Sequence, residues 1–514
     1  MRPLSLILAV LSGVFLNIEA VPVVPTAVPR QLPGSLALVD EEPLFTFKYS
    51  TSDPNPTNWI GLYHASGGGP DDEEYVAPSL VWKYAPEAAG RVELSPSALQ
   101  PGSYKAFFLA KDGYKWLAEP IEVDLRDPNP ISFIVDEATL HNARQGDPFE
   151  AVISGLLSGG GATTAEFTKL ANEGDGWVDV RADGTITGVP GPSDQRTQVV
   201  IEATASDGST ARMDVVIPVR PAGKPLVKQL SVLTYNLWHG GTQVDDYHRK
   251  QVRFLVNSGV DVVGVQESTG GHATRLAKAL GWFAWQGADV GIISRYPIVE
   301  SYIQGGYGGS VRIELDGEAS QINIWNVHLG YDPYGPYDFC FDNMTVEQVL
   351  RREAISNRTP QIAATMAAMR EQLAGSDAVP VLLLGDFNAP SHLDWTEALR
   401  EKNCGRAGVP WPTSVQPVEA GMVDSFREAH ADPAVEQGIT WSPIYRENGG
   451  RPEPLDRIDF IYHKGRMKVL ESESLVAGDP APMPDHNDNE WTSDHAAVRT
   501  VFSVRQCAVQ NRKV

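Results

Sequence analysis

The stretch that decides the fold is residues 381–391, which read VLLLGDFNAPS. Four consecutive apolar residues end at Gly385, and this length and composition predict a short, fully buried strand. Gly385 lets the backbone bend, and Pro390 prevents the strand from continuing. Asp386 and Asn388 are therefore delivered to the rim of a sheet. Two interpretations stay open: two polar groups facing the same way from an extended chain, or an Asx turn that caps the strand.

Length and charge restrict the class of protein. A chain of 514 residues is too long for one core, so two to four domains are expected. It carries 42 Lys and Arg against 65 Asp and Glu, a formal net charge of -23. Because neutralised phosphates provide most of the affinity for a duplex, this balance counts against tight nucleic-acid binding. The overall charge does not exclude a local basic patch.

Several features indicate export. Residues 1–20 resemble a secretory signal peptide, with Arg2 ahead of an apolar segment and Ala20 at its end. No other stretch is long and apolar enough to span a bilayer. Asn343 and Asn357 begin Asn-X-Thr sequences, which are either N-glycosylation acceptors or chance occurrences. The sequence therefore predicts a secreted glycoprotein.

The three cysteines suit the same compartment: Cys340, Cys404 and Cys507. In an exported protein, one disulfide and one unpaired thiol is the natural arrangement. We favour Cys340–Cys404, the pair that flanks the central strand, although spacing alone does not determine the connectivity. No Cys-X-X-Cys pair is present, so a thiolate zinc site is not expected.

The first half of the chain is predicted to be all β. Residues 34–126 contain short aromatic and β-branched runs separated by Gly, Pro, Asn and Asp, typical of a β-sandwich. Five aromatic residues there form either a carbohydrate-stacking face or, as we prefer, the core of the sandwich: Trp59, Tyr63, Trp82, Tyr114 and Trp116. Beyond a linker at 128–130, residues 131–221 resemble an immunoglobulin-like module. We interpret both modules as spacers, or as binding modules for a surface glycan or protein.

From residue 228 to residue 505 the pattern alternates between strands and helices, which predicts a layered α/β domain. Polar residues follow its apolar runs: Asn236 ends one strand, Glu267 follows the next, and His328 follows a third. An acid at the end of a buried strand is costly unless it is paired or bound to a metal. Asn236 and His328 taken singly are equally typical of turns and of structural positions.

Further candidates lie towards the C-terminus. Asp459 lies between Ile458 and Phe460, and an acid inside an apolar strand needs a partner, such as a histidine that it orients. Asp494 and His495 precede another apolar strand, where the aspartate can bind a metal and the histidine can handle a proton. Arg295, which follows a strand, either contacts phosphate or caps the turn, and neither interpretation is favoured.

Together these residues resemble the endonuclease/exonuclease/phosphatase superfamily, whose best-known members are deoxyribonuclease-like enzymes. The motifs occur in the family's order: Asn236, Glu267, His328, Gly385-Asp386-Phe387-Asn388, Arg457-Ile458-Asp459 and Ser493-Asp494-His495. The resemblance covers residues 228–505 and implies a four-layered α/β sandwich with its site at one rim of the paired sheets. The whole fold expected is therefore two all-β sandwich domains followed by this α/β domain.

The resemblance also implies a role for each of these residues. It makes Glu267 the principal ligand of Mg²⁺ or Mn²⁺, with Asn236 and Asp494 nearby, and it leaves the number of metal ions open. It implies that Asp386 and Asn388 position the attacking water and a phosphoryl oxygen, and that His328 contacts the phosphate. It also implies that His495 is the general acid/base and that Asp459 orients it. Phosphoester hydrolysis needs these functions: charge neutralisation, an aligned water and proton transfer.

The substrate has to be argued separately, because the family includes enzymes for nucleic acids, phospholipid head groups and small phosphoesters. A nuclease predicts a basic groove near Arg295, Arg351 and Arg352. An enzyme for small or lipid phosphoesters predicts a narrow pocket, whose candidate walls are Tyr331, Tyr334, Tyr337 and Trp441. The alternative to an enzyme is a catalytically silent secreted binding protein. It requires a lost catalytic residue, and none of the expected residues is missing.

Overall fold

The structure is a computed structural model that describes residues 32–39, 45–95, 99, 102–125, 130–160, 162–170 and 174–504. The expected signal peptide, Cys507 and residues 128–129 of the first linker lie outside the described residues. Within the described part of the chain, no helix has both the length and the apolar character needed to cross a membrane.

The first module consists of two packed sheets. Its strands are β1 (Gly34–Leu38), β2 (Thr46–Thr51), β3 (Trp59–His64), β4 (Val81–Tyr84), β5 (Ala89–Glu93), β6 (Gly102–Leu109) and β7 (Ile121–Leu125). The sheets have the orders β1-β2-β5 and β4-β3-β6-β7. Both contribute to one core, with Phe47 from β2 packing in the same cluster as Ile60 from β3. Trp59 and Tyr63 are also buried, as expected for core aromatics, whereas Trp82 is half exposed.

The described residues of the second module form eleven short strands: β8 (Ser132–Phe133), β9 (Glu137–Thr139), β10 (Ala143–Arg144), β11 (Phe149–Val152), β12 (Leu157–Ser158), β13 (Glu166–Leu170), β14 (Val178–Val180), β15 (Thr185–Gly188), β16 (Thr197–Thr204), β17 (Thr210–Ile217) and β18 (Val219–Arg220). The larger sheets have the orders β13-β16-β17-β9 and β11-β15-β14, and β12-β8 and β10-β18 form two-stranded pairs. Two 3-10 helices cover Ser154–Leu156 and Ala162–Thr164. β16 alternates buried and partly exposed residues, the period of a strand with one buried face.

The third domain contains fourteen strands: β19 (Gln229–Asn236), β20 (Val262–Gln266), β21 (Phe283–Gln286), β22 (Gly291–Ser294), β23 (Ile298–Gln304), β24 (Gly308–Glu314), β25 (Gln321–His328), β26 (Val381–Asp386), β27 (Val423–Asp424), β28 (Glu447–Asn448), β29 (Arg451–Pro452), β30 (Asp459–Lys464), β31 (Met467–Leu475) and β32 (Ala497–Val504). Its α-helices are α1 (Tyr247–Asn257), α2 (His272–Leu280), α3 (Gly335–Cys340), α4 (Val346–Ile355), α5 (Arg358–Ala374), α6 (Pro412–Glu419) and α7 (Ser425–Ala429). Two 3-10 helices cover His239–Gly241 and Glu397–Leu399.

Two six-stranded sheets form the inner layers of this domain, with the orders β21-β22-β20-β19-β32-β31 and β23-β24-β25-β26-β30-β27. Leu382 and Leu384 of β26 pack against the other sheet, in the cluster that contains Val232 of β19. The alternate residues of β26 face the opposite way, and Leu383 packs with Ile362 of α5. On the far side, α1 and α2 pack on the outer face of the first sheet, in a core that continues into the second module. The expected four-layered sandwich is confirmed.

The direction of the strands brings the polar strand ends to one rim. β19 runs parallel to β20, and β25 runs parallel to β26, so all four carboxyl ends lie at the same edge of their sheets. β22, β30 and β32 run antiparallel to these neighbours, so the residues that enter them lie at that same edge. The rim therefore collects side chains from seven strands.

Two local predictions are confirmed. Residues 381–386 form a strand that is buried throughout. Cys340 and Cys404 are joined in a disulfide with their Cα atoms 5.2 Å apart. This bridge links α3 to the loop after Glu397–Leu399.

Candidate active site

The end of β26 places Asp386 at the centre of the rim. Gly385 has a φ of +143°, and a Cβ atom at this position would lie 1.9 Å from the carbonyl oxygen of Val327, so the close approach of β25 requires glycine. Asn388 has a φ of +50°, and its backbone N–H donates to Asp386 Oδ1 at 2.8 Å. The extended geometry expected for the two side chains is therefore wrong. The alternative, an Asx turn, is correct, and both residues still line the same cavity.

Four side chains converge on the second oxygen of Asp386. Asn236 Nδ2 and Asn388 Nδ2 donate to Oδ2 at 3.0 Å and 3.4 Å, and the Nε2 atoms of His328 and His495 lie 3.6 Å and 3.7 Å from it. Burial raises the pKa of Asp386 to about 6, against the opposing effect of His495. Asp386 is thus a buried carboxylate with an imidazole on either side.

His495 is oriented by Asp459, as expected. Its Nδ1 lies 2.9 Å from Asp459 Oδ2, while Nε2 points towards Asp386. The backbone N–H of His495 donates to Ser493 Oγ, which itself donates to the carbonyl oxygen of Asn236. Burial disfavours the imidazolium, but the charges of Asp459 and Asp386 outweigh this and raise the pKa of His495 well above its usual value.

His328 has a partner that the sequence analysis missed. Its Nδ1 lies 2.6 Å from Asp289 Oδ2, and Asp289 precedes β22 at the rim. Burial alone would lower the pKa of His328, but the hydrogen bond and charge of Asp289, with the charge of Asp386, raise it to about 9. An acid at the entry to an apolar strand was the signal used for Asp494, and the same signal marks Asp289.

Glu267 and Asp494 form the part of the site that suits a metal ion. Asp494 Oδ1 is buried and accepts no hydrogen bond from any described residue. Burial raises the pKa of Asp494 to about 7, and the nearby negative charge of Glu267 acts in the same direction. Two carboxylates held together in this way, one with an unsatisfied buried oxygen, fit a hard divalent cation such as Mg²⁺ or Mn²⁺.

Asn236, the third residue expected near the metal, is held by hydrogen bonds to both carboxylates and to the backbone. Its Nδ2 donates to Glu267 Oε1 at 3.2 Å as well as to Asp386, and its Oδ1 accepts from the backbone N–H of Trp238 at 2.9 Å. In this arrangement the amide links the two carboxylates through N–H groups, which cannot coordinate a cation. Asn236 therefore positions Glu267 relative to Asp386.

A second group is also compact enough for a metal. Asp386, Asp459 and His495 each offer a ligand atom, and these atoms lie within 4.8 Å of one another. The Nδ1 of His495 is already hydrogen-bonded to Asp459. The number of metal ions thus depends on whether one or both groups are used.

Four residues at this rim have a strained backbone. Trp238, His239, Glu267 and Asn388 have φ values from 50° to 55°, in the left-handed region that non-glycine residues rarely adopt. Such conformations cost on the order of 1–3 kcal/mol each and persist where the surrounding structure enforces them. One enforcing contact is visible here, because the backbone N–H of His239 donates to Glu267 Oε2 at 2.5 Å.

The rim opens into a cavity of about 630 Å³. It is lined by six of the eight predicted catalytic and metal-binding residues, with Asn236 and Asp459 lying just behind it: Glu267, His328, Asp386, Asn388, Asp494 and His495. The four aromatic residues expected to wall a narrow pocket also line it: Tyr331, Tyr334, Tyr337 and Trp441. Among the described residues, no lysine or arginine lines this cavity.

The predicted basic residues lie elsewhere. The expected contact of Arg295 with substrate is wrong, because Arg295 follows β22 at the edge opposite the rim. There it donates to the carbonyl oxygens of Val260 and Thr139 and joins the third domain to the second module. Arg351 pairs with Glu347, and Arg352 pairs with Asp338, so neither forms the groove expected of a nuclease.

Comparison with known proteins gives consistent matches for the third domain. A family described as "Endonuclease/Exonuclease/phosphatase family" matches residues 233–495, slightly more than half of the chain. The uncharacterized protein F14F9.5 of Caenorhabditis elegans is 30% identical over 288 residues, which cover 52% of this chain and 90% of that protein.

Solved structures match the same part of the chain. TDP2 of D. rerio, complexed with a single-strand DNA product, is 16% identical with a TM-score of 0.37, covering 54% of this chain and 100% of that one. The human nocturnin catalytic domain with a bound sulfate is 14% identical with a TM-score of 0.36, covering 55% of this chain and 96% of that one.

Proposed function

Because the chain belongs to the endonuclease/exonuclease/phosphatase family, we propose that it hydrolyses a phosphoester with the help of Mg²⁺ or Mn²⁺. The members of this family are metal-dependent phosphoesterases and nucleases. One observation carries the proposal most strongly. The buried acids Asp386 and Asp494 and the partly buried Glu267 meet two imidazoles in one cavity, and no lysine or arginine of the described chain lines that cavity to balance them.

Glu267 and Asp494 are the residues that we propose hold the cation. The unsatisfied Oδ1 of Asp494 and the adjacent charge of Glu267 support this assignment. A divalent ion bound there supplies charge neutralisation for the phosphoryl oxygens. Asn236 keeps Glu267 in place by donating to both Glu267 and Asp386.

His495 and Asp459 handle the proton. Asp459 holds the imidazole by Nδ1, which leaves Nε2 directed into the cavity beside Asp386. An imidazole oriented in this way transfers a proton between the attacking water, the leaving group and Asp386 as the reaction proceeds. Asp386 and the Asn388 amide position the water and a phosphoryl oxygen.

His328 stabilises the negative charge that develops on the phosphoryl group. Asp289 keeps it protonated at neutral pH, because the pKa of His328 is raised to about 9. His328 is largely shielded from solvent at the rim, so the hydrogen bond of this cationic donor to an oxyanion is strong. It takes the place that an arginine or lysine fills in many phosphate sites.

The reaction balances without a further reactant. Water adds to phosphorus, the P–O bond to the alcohol breaks, and the alcohol leaves with a proton. The products are the alcohol and a phosphate with one ester bond fewer.

Replacing His495 by alanine tests the assignment. With bis(4-nitrophenyl) phosphate and Mn²⁺, we expect kcat/KM to fall by roughly 10²- to 10⁴-fold, the usual contribution of a general acid/base. His141→Ala in the second module, where the ring packs on Phe149, is the control that should leave kcat/KM unchanged. Hydrolysis at the wild-type rate by folded His495→Ala would contradict the assignment.

We further propose that the enzyme is secreted and glycosylated. The signal-like residues 1–20, the Cys340–Cys404 disulfide and the exposed acceptor residues Asn343 and Asn357 support this. Expression in a eukaryotic secretory host tests it by mass spectrometry of the medium. Protein that stays inside the cell with Met1 intact would contradict secretion.

A further inference from the structure

Two domains line the active-site cavity, and the acids and histidines of the proposed chemistry belong to only one of them. The first module contributes residues from β3 and from the loop that follows it: Tyr63, His64, Gly68, Ala77, Pro78 and Leu80. They line the same cavity as Glu267 and His495, which lie about 200 or more positions away in sequence. The cavity therefore exists in its full extent only in the docked pair of domains.

The docking is a direct contact between two backbones. A Cβ atom added to Gly68 would lie 2.3 Å from the Cα of Gly270, and one added to Gly271 would lie 2.8 Å from the carbonyl oxygen of Ser66. No side chain fits between these loops. Because Gly270 and Gly271 belong to the loop that follows Glu267, the first module is packed against the loop that presents the proposed metal ligand.

Side chains extend this contact. His64 Nε2 lies 3.2 Å from the hydroxyl of Tyr247 in α1, and its ring packs edge-on against His272 at the start of α2. Burial, with the charge of Arg275, lowers the pKa of His64 to about 3, so this histidine is neutral at physiological pH. The first module thus lines the cavity with uncharged groups.

Charge is distributed unevenly around the cavity. Glu267, Asp289, Asp386 and Asp494 all come from the third domain, whereas the described residues of the first module that line the cavity carry no charge at neutral pH. The negative charge of one phosphoryl group would be neutralised by the divalent ion and by the cationic His328. A second phosphate further along would lie among acids or apolar groups with no lysine or arginine to neutralise it, which disfavours a polyanion.

We propose that the first module is the second wall of the substrate site and selects phosphoesters that carry an uncharged and largely apolar organic group. The inference rests on the proposed function and deepens it, since the phosphoryl group occupies the rim and this organic group contacts Ala77, Pro78 and Leu80. A cavity of about 630 Å³ lies in the range of small-molecule sites and accommodates a phosphoryl group with an organic group attached.

A series of substrates tests this directly: the methyl, butyl and octyl esters of 4-nitrophenyl phosphate, assayed with Mn²⁺ by release of 4-nitrophenolate. Each methylene that leaves water for the wall should raise kcat/KM by about 4-fold until the cavity is filled. We therefore expect the wild-type octyl-to-methyl ratio of kcat/KM to exceed about 10. A ratio near 1 with measurable hydrolysis would overturn the inference and leave the proposed function standing.

Substitutions in the wall test whether the preference for the octyl ester depends on the first module. Leu80→Lys places a charge in the wall, and the octyl-to-methyl ratio should fall by about 10-fold or more. Leu38→Lys in β1 is the matched control, because Leu38 is 38% exposed and does not line the cavity, and its ratio should equal that of the wild type. Pro78→Lys, at an exposed wall position, repeats the test if Leu80→Lys folds poorly.

Two other results would overturn the inference. One is an unchanged ratio in both folded wall variants, and the other is a higher kcat/KM for an octadeoxynucleotide than for the octyl ester, which would indicate a nucleic-acid substrate. If the wild-type protein hydrolyses none of these substrates with Mg²⁺ or Mn²⁺, the proposed function itself fails, and this inference fails with it.

Discussion

Two acidic clusters lie on either side of Ile458, and they differ in whether arginine supplies the positive charge. On one side, Arg457 donates to both Asp394 and Asp424, and Arg427 also donates to Asp394. On the other side is the cavity, which no lysine or arginine of the described chain lines. We call the first the closed cluster, and we call the cavity acids, together with Asp459 just behind them, the open cluster.

The difference is visible atom by atom. In the closed cluster, both oxygens of Asp424 accept from Arg457, and Oδ1 also accepts from the backbone N–H of Phe426. In the open cluster, Oδ1 of Asp459 and Oδ1 of Asp494 accept no hydrogen bond from any residue that the structure describes. A buried acid is therefore a weak indicator of function by itself. A buried acid whose cation is missing from the chain is a much stronger one.

The largest effect should follow from opening the closed cluster. Arg457→Met leaves Asp394 and Asp424 buried without their main partner, and removing one side of such a pair costs about 3–5 kcal/mol. We expect a matching fall in the unfolding midpoint in calorimetry, with or without Mn²⁺. A loss below about 1 kcal/mol would show that the two clusters do not differ as described.

In the open cluster, by contrast, we expect that removing a charge stabilises the metal-free protein. The pKa of Asp494 is raised to about 7 in the folded protein, so the folded state holds a proton that the unfolded state releases above about pH 4. Stability of the metal-free protein should therefore fall as the pH rises from about 4 to 7. Asp494→Asn removes this unfavourable contribution and should stabilise the metal-free protein at pH 8 by about 4 kcal/mol, with little change at pH 4.

Asp424→Asn is the matched control for this experiment. The same substitution in the closed cluster removes a carboxylate that Arg457 needs, so it should destabilise the protein at both pH values. Calorimetry in EDTA measures both variants. If Asp494→Asn destabilises the protein at pH 8, the negative charge of Asp494 does not lower the stability of the metal-free protein, and this account of the open cluster is contradicted.

A smaller effect is expected at His328. Its pKa of about 9 depends on Asp289, so in Asp289→Asn the pKa should fall towards or below the ordinary value of about 6.5. Because the cationic form is the active one, the alkaline limb of the pH profile of kcat/KM should move to lower pH by about one unit or more. Asp245→Asn, at an exposed position, should leave the profile unchanged. An unmoved limb in Asp289→Asn would show that the protonation of His328 does not limit the reaction.

The sequence predicted the strand ends because they are a local property. An apolar run followed by Asn236, Glu267, His328 or Asp386 marks the exit of a buried strand, and parallel neighbours bring such exits to one rim. The layered fold follows from the same periodicity. The order of the motifs along the chain is the order found in the family.

The direction of a strand within its sheet cannot be inferred from the local sequence. This explains why Arg295 was expected at the site and Asp289 was not. Asp289 and Arg295 flank the same strand, β22, which runs antiparallel to β20. Its entry therefore lies at the rim and its exit at the opposite edge, so Asp289 joins the site and Arg295 does not. The contribution of the first module was equally hidden, because no pattern in residues 63–80 indicates contact with the loop after Glu267.

The measurement that tests the central claim most directly is calorimetric titration of the metal-free protein with Mn²⁺, comparing wild type with Glu267→Gln and Asp494→Asn. We predict that the wild-type protein binds the ion and that each variant binds it at least about 10-fold more weakly, since each loses a charged oxygen ligand. Equal affinity in all three proteins would contradict the claim that these two acids hold the cation.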